Sequence, residues 1–125
     1  MNIVDSSCWI EYFHNTSIGD AVLPVIERPH ELLVPSIVLY EVCKYLLSKT
    51  SEKNVITFIR IMHRGRVVTL DSGLSINAAN VSRKYRLAMA DSIIYATAER
   101  HNAVLWTADE HFSSLPNVRY FDKTQ

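Results

Sequence analysis

The chain has 125 residues, of which 48% are hydrophobic and 21% are charged, as in one ordinary globular domain with a single buried core. Thirteen Lys and Arg balance thirteen Asp and Glu, so the protein is not a generally basic nucleic-acid binder, and any polyanionic partner must contact a local patch. With only three Gly and four Pro we expect no linker or low-complexity tract, and residues 1–125 are predicted to form a single domain.

The N-terminal sequence predicts no export signal and no membrane anchor. Asp5 interrupts the first apolar segment, without a basic region and a long apolar stretch around it. The longest uncharged apolar run, Leu32 to Tyr40, is too short to cross a bilayer. Cys8 and Cys43 are isolated and lack the spacing of zinc or redox motifs. We therefore expect a cytoplasmic protein with two reduced thiols.

Short apolar segments alternate with segments of helical period along the chain. In chain order we expect a strand, two helices, a strand, two helices, a strand, two helices and two final strands: Ile3 to Val4, Cys8 to Phe13, Ile18 to Ile26, Leu32 to Val34, Ser36 to Ser48, Ser51 to His63, Arg66 to Leu70, Ser72 to Tyr85, Ala90 to Asn102, Ala103 to Trp106 and Val118 to Phe121. Each helix is expected to begin near a Ser, Asn or Asp cap. The alternation predicts a three-layer α/β/α sandwich with a central, mostly parallel sheet.

Four acidic residues lie within or directly after apolar segments: Asp5, Glu41, Asp91 and Asp109. Burying a carboxylate without a partner reduces the unfolding free energy by an amount on the order of several kcal/mol, so such residues are rarely kept for stability. Asp5 and Asp109 follow predicted strands, and ligands of parallel sheets bind beyond the carboxyl ends of the strands. Glu41 and Asp91 lie in the first two turns of predicted helices near the same edge. We expect the four to form a pocket that binds a divalent cation.

Each acid taken singly also has a structural explanation. Asp5 and Asp91 are of the residue type that caps helices. Thr107 and Glu110 have the T-x-x-E spacing of a capping box, which accounts for Glu110 and leaves it out of the site. Glu41 is the hardest to explain in this way, because it lies in a helix interior where capping is impossible.

Four segments together resemble a known family: IVDSSCWIEYF, VPSIVLYEV, LAMADSIIYATA and VLWTADEHFSSLPNVRYF. They are similar to the four acidic motifs of PIN-domain ribonucleases, in the usual order and spacing, and most similar to the VapC-type toxins of toxin–antitoxin pairs. The resemblance implies RNA cleavage with Mg²⁺ or Mn²⁺, a small antitoxin partner and a homodimer. The ligands it implies are Asp5, Glu41, Asp91 and Asp109. Ser6 and Thr107 match the hydroxyl residues that support the site.

The chemistry of these residues agrees with a metal-dependent hydrolase. Carboxylate oxygens suit Mg²⁺ or Mn²⁺, whereas zinc would require His and Cys clusters that the spacing of the five His residues does not form. Such a cation can activate a water for in-line hydrolysis of a phosphodiester. Four negative groups repel RNA, so basic residues near the site are expected to contribute to binding. The candidates are Lys44, Arg83, Lys84 and Arg86. His111 is expected to have only a structural hydrogen-bonding role.

Two other functional classes remain open from the sequence. A receiver-type signalling domain has a similar length and an acidic Mg²⁺ site, but it requires an early acidic pair and a late Lys, whereas Asp5 is followed by two serines. A non-catalytic RNA- or protein-binding module of the same fold would be expected to have lost one or more of the acids. The RNA that is cut, the number of metal ions and the oligomeric state do not follow from the sequence.

Overall fold

The structure, a computed structural model, describes residues 1–124. It contains five strands: β1 (Asn2–Val4), β2 (Leu32–Pro35), β3 (Arg66–Val68), β4 (Val104–Thr107) and β5 (Val118–Tyr120). It contains six α-helices: α1 (Ser6–Phe13), α2 (Ser17–Ile26), α3 (Ser36–Leu47), α4 (Glu52–Met62), α5 (Ser72–Tyr85) and α6 (Met89–Arg100). Two short 3₁₀ helices precede β2 and follow β4, at Pro29–Glu31 and Glu110–Phe112.

All neighbouring strands of the sheet run parallel, in the order β3-β2-β1-β4-β5. Parallel neighbours require crossover connections, which here place helices on the faces of the sheet. The predicted three-layer α/β/α fold is confirmed. The order also excludes a receiver domain, since receivers have the order 2-1-3-4-5 with their third strand in the centre, whereas β3 lies at an edge here.

The core lies around the central strand β1 and extends to the helices on its two sides. Ile3 and Val4 are fully buried, as expected for a strand covered on both faces. Trp9 of α1 is also fully buried, and its ring stacks against Phe13, which in turn stacks against Phe58 of α4 at 4.3 Å between ring centroids. This aromatic series fixes α1, and with it the first turn after β1, against the rest of the domain.

The predicted bounds of the helices and strands agree with the structure to within two residues. The expectation of a Ser, Asn or Asp cap is wrong for three helices, because the N-cap residues of α2, α3 and α6 are Thr16, Pro35 and Ala88. Cys8 and Cys43 are both free thiols. Within residues 1–124, every helix is too short or too polar to cross a bilayer.

Candidate active site

The four acids meet at the carboxyl edge of the parallel sheet. Asp5 follows β1 directly, and Asp109 lies two residues after the neighbouring strand β4. The backbone N–H of Asp5 donates to the carbonyl of Trp106 at 2.9 Å, which aligns the ends of the two strands. Asp91 is the third residue of α6, and Glu41 is the sixth residue of α3. The parallel topology brings the ends of these strands and helices to the same edge of the sheet, as predicted.

Asp5 is the most buried of the four acids, with 3% of its surface exposed. Its side chain makes no helix-capping hydrogen bond. Instead, its Oδ2 accepts hydrogen bonds from the hydroxyls of Ser7 and Thr107, each at 2.8 Å. Burial raises the pKa of Asp5, the two hydroxyls oppose this rise, and the nearby charge of Asp109 adds to it. A nearby cation would stabilise the charged form of a carboxylate buried in this way.

The same two hydroxyls also connect the beginning of α1 to the segment after β4. The Ser7 hydroxyl accepts from the backbone N–H of Ala108 at 3.0 Å, and the Thr107 hydroxyl accepts from that of Asp109 at 3.0 Å. Thr107 therefore lies where a supporting residue was expected. Ser7 was not considered from the sequence, whereas Ser6 was, and the Ser6 hydroxyl acts on Glu41 by lowering its pKa.

Removing the Thr107 hydroxyl is expected to destabilise the fold. Thr107→Val keeps the shape of the side chain but removes a donor to a buried carboxylate and an acceptor for Asp109, a loss of about 1–3 kcal/mol of unfolding free energy. Thr107→Ser keeps the hydroxyl and should lose clearly less. Urea unfolding of both variants measures the difference. An equal loss in the two variants would show that the methyl group, rather than the hydrogen bonds, stabilises this position.

Glu41 carries the most unusual polar atom of the site. Its Oε1 is buried, and no hydrogen-bond partner for it lies within the described chain, residues 1–124. Burial raises the pKa of Glu41, and the charges of Asp5, Asp91 and Asp109 raise it further. Lys44 forms no ion pair with Glu41 within residues 1–124, and its ammonium group lies 5.9 Å from the ring centroid of Tyr40. An unpaired buried carboxylate oxygen of this kind needs a cation or a proton.

Asp91, Asp109 and His111 form the open side of the site. The Nδ1 atom of His111 lies 3.4 Å from Asp91 Oδ2 and 3.2 Å from Asp109 Oδ1, and one atom of each residue lies within 4.8 Å of the others. Asp109 Oδ1 accepts a hydrogen bond from the backbone N–H of His111 and so caps the 3₁₀ helix. The expectation that Thr107 and Glu110 form a capping box is therefore wrong. Burial raises the pKa of Asp91, as do the charges of Asp109 and Asp5.

The helices that carry the acids begin differently from the others. No side-chain cap bonds to the first turn of α1, α3 or α6, whereas Thr16, Ser51 and Asp71 cap α2, α4 and α5. The three uncapped helices begin at the acidic edge of the sheet. Their free N–H groups and the positive ends of their dipoles offset part of the repulsion among the four carboxylates.

The PIN domain model of protein families matches residues 3–118. The chain belongs to the PIN-domain family. A comparison with curated protein sequences gives no match. The family match covers all four acids, from Asp5 after β1 to Asp109 after β4, and so includes the whole carboxylate cluster.

Solved structures similar to this PIN domain share its fold at low sequence identity. A toxin–antitoxin complex from Klebsiella pneumoniae has a TM-score of 0.81 and 20% identity, over 95% of this chain and 96% of that chain. VapBC2 from Rickettsia felis, bound to a DNA fragment from its promoter, has a TM-score of 0.74 and 14% identity, over 97% and 98%. VapC20 from Mycobacterium tuberculosis, a sarcin–ricin loop cleaving toxin, has a TM-score of 0.71 and 17% identity, over 95% and 99%.

The four basic residues expected near the site of this PIN domain lie in different places. Arg86 lines a cleft together with Asp91 and His111. Lys84 lines a separate groove between α5 and α6, and Arg83 is exposed on α5. Lys44 lies in a shallow apolar groove on α3. Of the four, the structure brings Arg86 to the acids.

The donor set of the site fits a hard divalent cation. Asp5, Glu41, Asp91 and Asp109 offer only carboxylate oxygens, and the orphan Oε1 of Glu41 supplies a ligand atom that the protein does not otherwise use. His111 adds one imidazole nitrogen on the exposed side, which Mn²⁺ accepts more readily than Mg²⁺. The sequence predicted that the four acids lie close together, but the position of His111 between two of them depends on the 3₁₀ turn that Asp109 caps.

Proposed function

We propose that this PIN domain is a metal-dependent endoribonuclease of the VapC type, the toxin of a toxin–antitoxin pair that acts on cytoplasmic RNA. The unpaired buried oxygen of Glu41, within a group of four carboxylates, is the observation that carries the proposal. Similarity in fold to toxin–antitoxin complexes and to a toxin that cleaves the sarcin–ricin loop supports it.

In this proposal Asp5, Glu41, Asp91 and Asp109 hold Mg²⁺ or Mn²⁺ at the sheet edge. When bound, the cation supplies a water of lowered pKa and positive charge against the scissile phosphate. The hydroxyls of Ser7 and Thr107 keep the Asp5 carboxylate in one orientation. The imidazole of His111 lies between the carboxylates of Asp91 and Asp109 and keeps them in position. The uncapped N-termini of α1, α3 and α6 add a fixed positive potential where negative charge builds up.

A non-catalytic binding module of the same fold is the weaker alternative. Such a protein would have no need to keep four carboxylates whose mutual repulsion and burial raise the pKa values of Asp5, Glu41 and Asp91. All four acids are present, and the hydroxyl network around Asp5 is complete. Retention of groups that destabilise the fold favours catalysis.

An apolar surface on α3 and α4 supports the proposed homodimer. Tyr40 and Leu47 of α3 and Ile56 of α4 are each more than half exposed, and they offer a surface for homodimer formation. We further propose that an antitoxin lays an apolar helix along exposed helices of the toxin and sends a basic residue toward the acids. Light scattering that detects only monomer would contradict the homodimer.

Expression of the chain alone is expected to arrest bacterial growth, and co-expression of the small antitoxin encoded beside it should relieve the arrest. The Asp91→Asn variant, expressed at the same level, should be harmless because it lacks a metal ligand. Growth curves and immunoblots of soluble protein measure both effects. Growth arrest of equal strength with Asp91→Asn would separate toxicity from the acid site, and harmless expression of the soluble wild type would contradict the toxin proposal.

A further inference from the structure

Helix α5 ends in a backbone conformation that long side chains rarely adopt. Arg86 has φ 57° and ψ 43°, in the left-handed region. The other non-glycine residues with positive φ within residues 1–124 are three asparagines: Asn15, Asn102 and Asn117. Asparagine tolerates this conformation because its short amide can bond locally, and glycine is the usual residue at such a helix end. Arginine has neither advantage.

The turn at Arg86 is fixed by its neighbours. The N–H of Leu87 donates to the carbonyl of Ser82 at 3.3 Å, and the Ser82 hydroxyl donates to the carbonyl of Leu87 at 2.7 Å. The side chain of Leu87 is buried. These contacts hold the left-handed turn without the Arg86 side chain, so the local fold does not explain why an arginine occupies this position.

The Arg86 side chain lines a cleft that reaches the acid cluster. The cleft has a volume of about 350 Å³, and the residues that line it are Tyr85, Arg86, Leu87, Ala88, Asp91 and His111. The ion pairs formed within residues 1–124 involve Arg100 and His111, and none involves Arg86. Arg86 is therefore an exposed arginine without an ion-pair partner in residues 1–124, and it lines the same cleft as Asp91.

Tyr85 gives the cleft an aromatic wall. Its half-buried ring packs edge-on against Tyr95, with 5.4 Å between centroids and 81° between planes, and the Lys84 ammonium group lies 5.1 Å from its centroid. A ring held in place by its neighbours can pack against a nucleobase at little entropic cost.

We propose that this cleft is a subsite for the nucleotide next to the cleaved bond, in which the Arg86 guanidinium binds the adjacent phosphate and the Tyr85 ring packs against the base. The inference rests on the proposed ribonuclease function. A guanidinium can bind two phosphate oxygens at once, and its charge offsets the repulsion between RNA and the four carboxylates. Arg86 is thus a substrate-positioning residue. The base must be unstacked to enter, so the subsite selects single-stranded RNA.

The test compares Arg86→Gly with Arg28→Ala, which removes one exposed positive charge ahead of the amino end of β2 and outside the cleft. Both changes are made in an Asp5→Asn background that does not cleave. The probe is a fluorescein-labelled, mixed-sequence, 12-nucleotide single-stranded RNA, and anisotropy gives its affinity at several salt concentrations. Arg86→Gly should weaken binding about tenfold and reduce the slope of log K against log salt by about 0.7, the value for one phosphate contact on a single strand. Arg28→Ala should leave both nearly unchanged.

Thermal unfolding separates this role from a structural one. Arg86→Gly should keep or raise the melting temperature because glycine adopts the left-handed turn without strain. In the cleaving protein it should raise KM more than it lowers kcat. Arg86→Gly that binds RNA with the parent's affinity and salt slope would overturn the subsite and leave the ribonuclease proposal standing. A wild-type protein that neither binds nor cleaves RNA would overturn both.

Discussion

The Asp5→Asn and Asp91→Asn variants are each expected to lose RNA cleavage by at least about a hundredfold and to unfold at a higher temperature than the wild type. Each substitution removes a proposed carboxylate ligand of the cation, which is the expected cause of the loss of activity. Each also removes one of four like charges whose proximity and burial raise the pKa values of the cluster. Relief of this repulsion should add about 1 kcal/mol to the unfolding free energy, or roughly 3–5 °C in melting temperature.

Asparagine at position 5 keeps the contacts that hold the site together, because its amide oxygen can still accept from the Ser7 and Thr107 hydroxyls. Asp20→Asn is the matched control, since Asp20 is an exposed acid in the first turn of α2. It should keep activity and gain no stability, because its carboxylate interacts favourably with the helix dipole. If Asp5→Asn and Asp91→Asn both unfold the protein while the folded fraction stays fully active, the acids are structural.

The metal-free protein is expected to become more stable as the pH falls from about 7.5 to about 5. Asp5, Glu41 and Asp91 have pKa values raised above those of an unfolded chain. The folded state therefore binds more protons than the unfolded state in this range, and unfolding becomes less favourable as protons are added. The lowered pKa of His101, caused by burial and by the charges of Arg66 and Arg100, opposes this trend below about pH 6.5 and makes it smaller. The lowered pKa values of Asp71 and Asp122 reduce stability only below about pH 4.

Bound metal should reverse this trend, because cation and protons compete for the same oxygens. Stability in Mn²⁺ should fall as the pH drops, and cleavage should fall with it. Differential scanning calorimetry in EDTA and in Mn²⁺, between pH 7.5 and 5, measures both slopes, and the Asp5→Asn variant should show a flatter slope in EDTA. A melting temperature in EDTA that decreases steadily as the pH falls from 7.5 to 5 would contradict the raised pKa values of these acids.

The sequence was sufficient to predict the alternation of strands and helices, because this alternation depends on local pattern. It also predicted that four acids lie close together at one edge of the sheet, and their role as metal ligands remains a proposal. Asp5 and Asp109 follow apolar strands, and the topology of parallel sheets brings the ends of such strands together. The order of the strands was not predictable in this way, since the inner strands β1, β2 and β4 have similar apolar patterns whatever their position in the sheet.

The parts of the site that escaped prediction depend on contacts between distant residues. The Ser7 hydroxyl accepts a hydrogen bond from Ala108, 101 residues away in the chain. Nothing in the local sequence Asp5-Ser6-Ser7 distinguishes Ser7 from Ser6. For His111 the sequence predicted only a structural hydrogen-bonding role, whereas the 3₁₀ turn after Asp109 places its imidazole between Asp91 and Asp109. Arg86 was one of four basic candidates, and its position at the cleft follows from the left-handed end of α5, which has no glycine to reveal it.

The most direct test of metal-dependent ribonuclease activity is the cleavage of a mixed RNA substrate by the purified protein in EDTA and after metal is restored. Cleavage should be absent in EDTA, return with excess Mn²⁺ or Mg²⁺, and be inhibited by Ca²⁺, whose looser coordination holds the acids without aligning water and phosphate. Asp5→Asn, purified in the same way, shows whether a contaminating nuclease is present. Sustained cleavage in EDTA by the wild type, with none by Asp5→Asn, would contradict the metal mechanism.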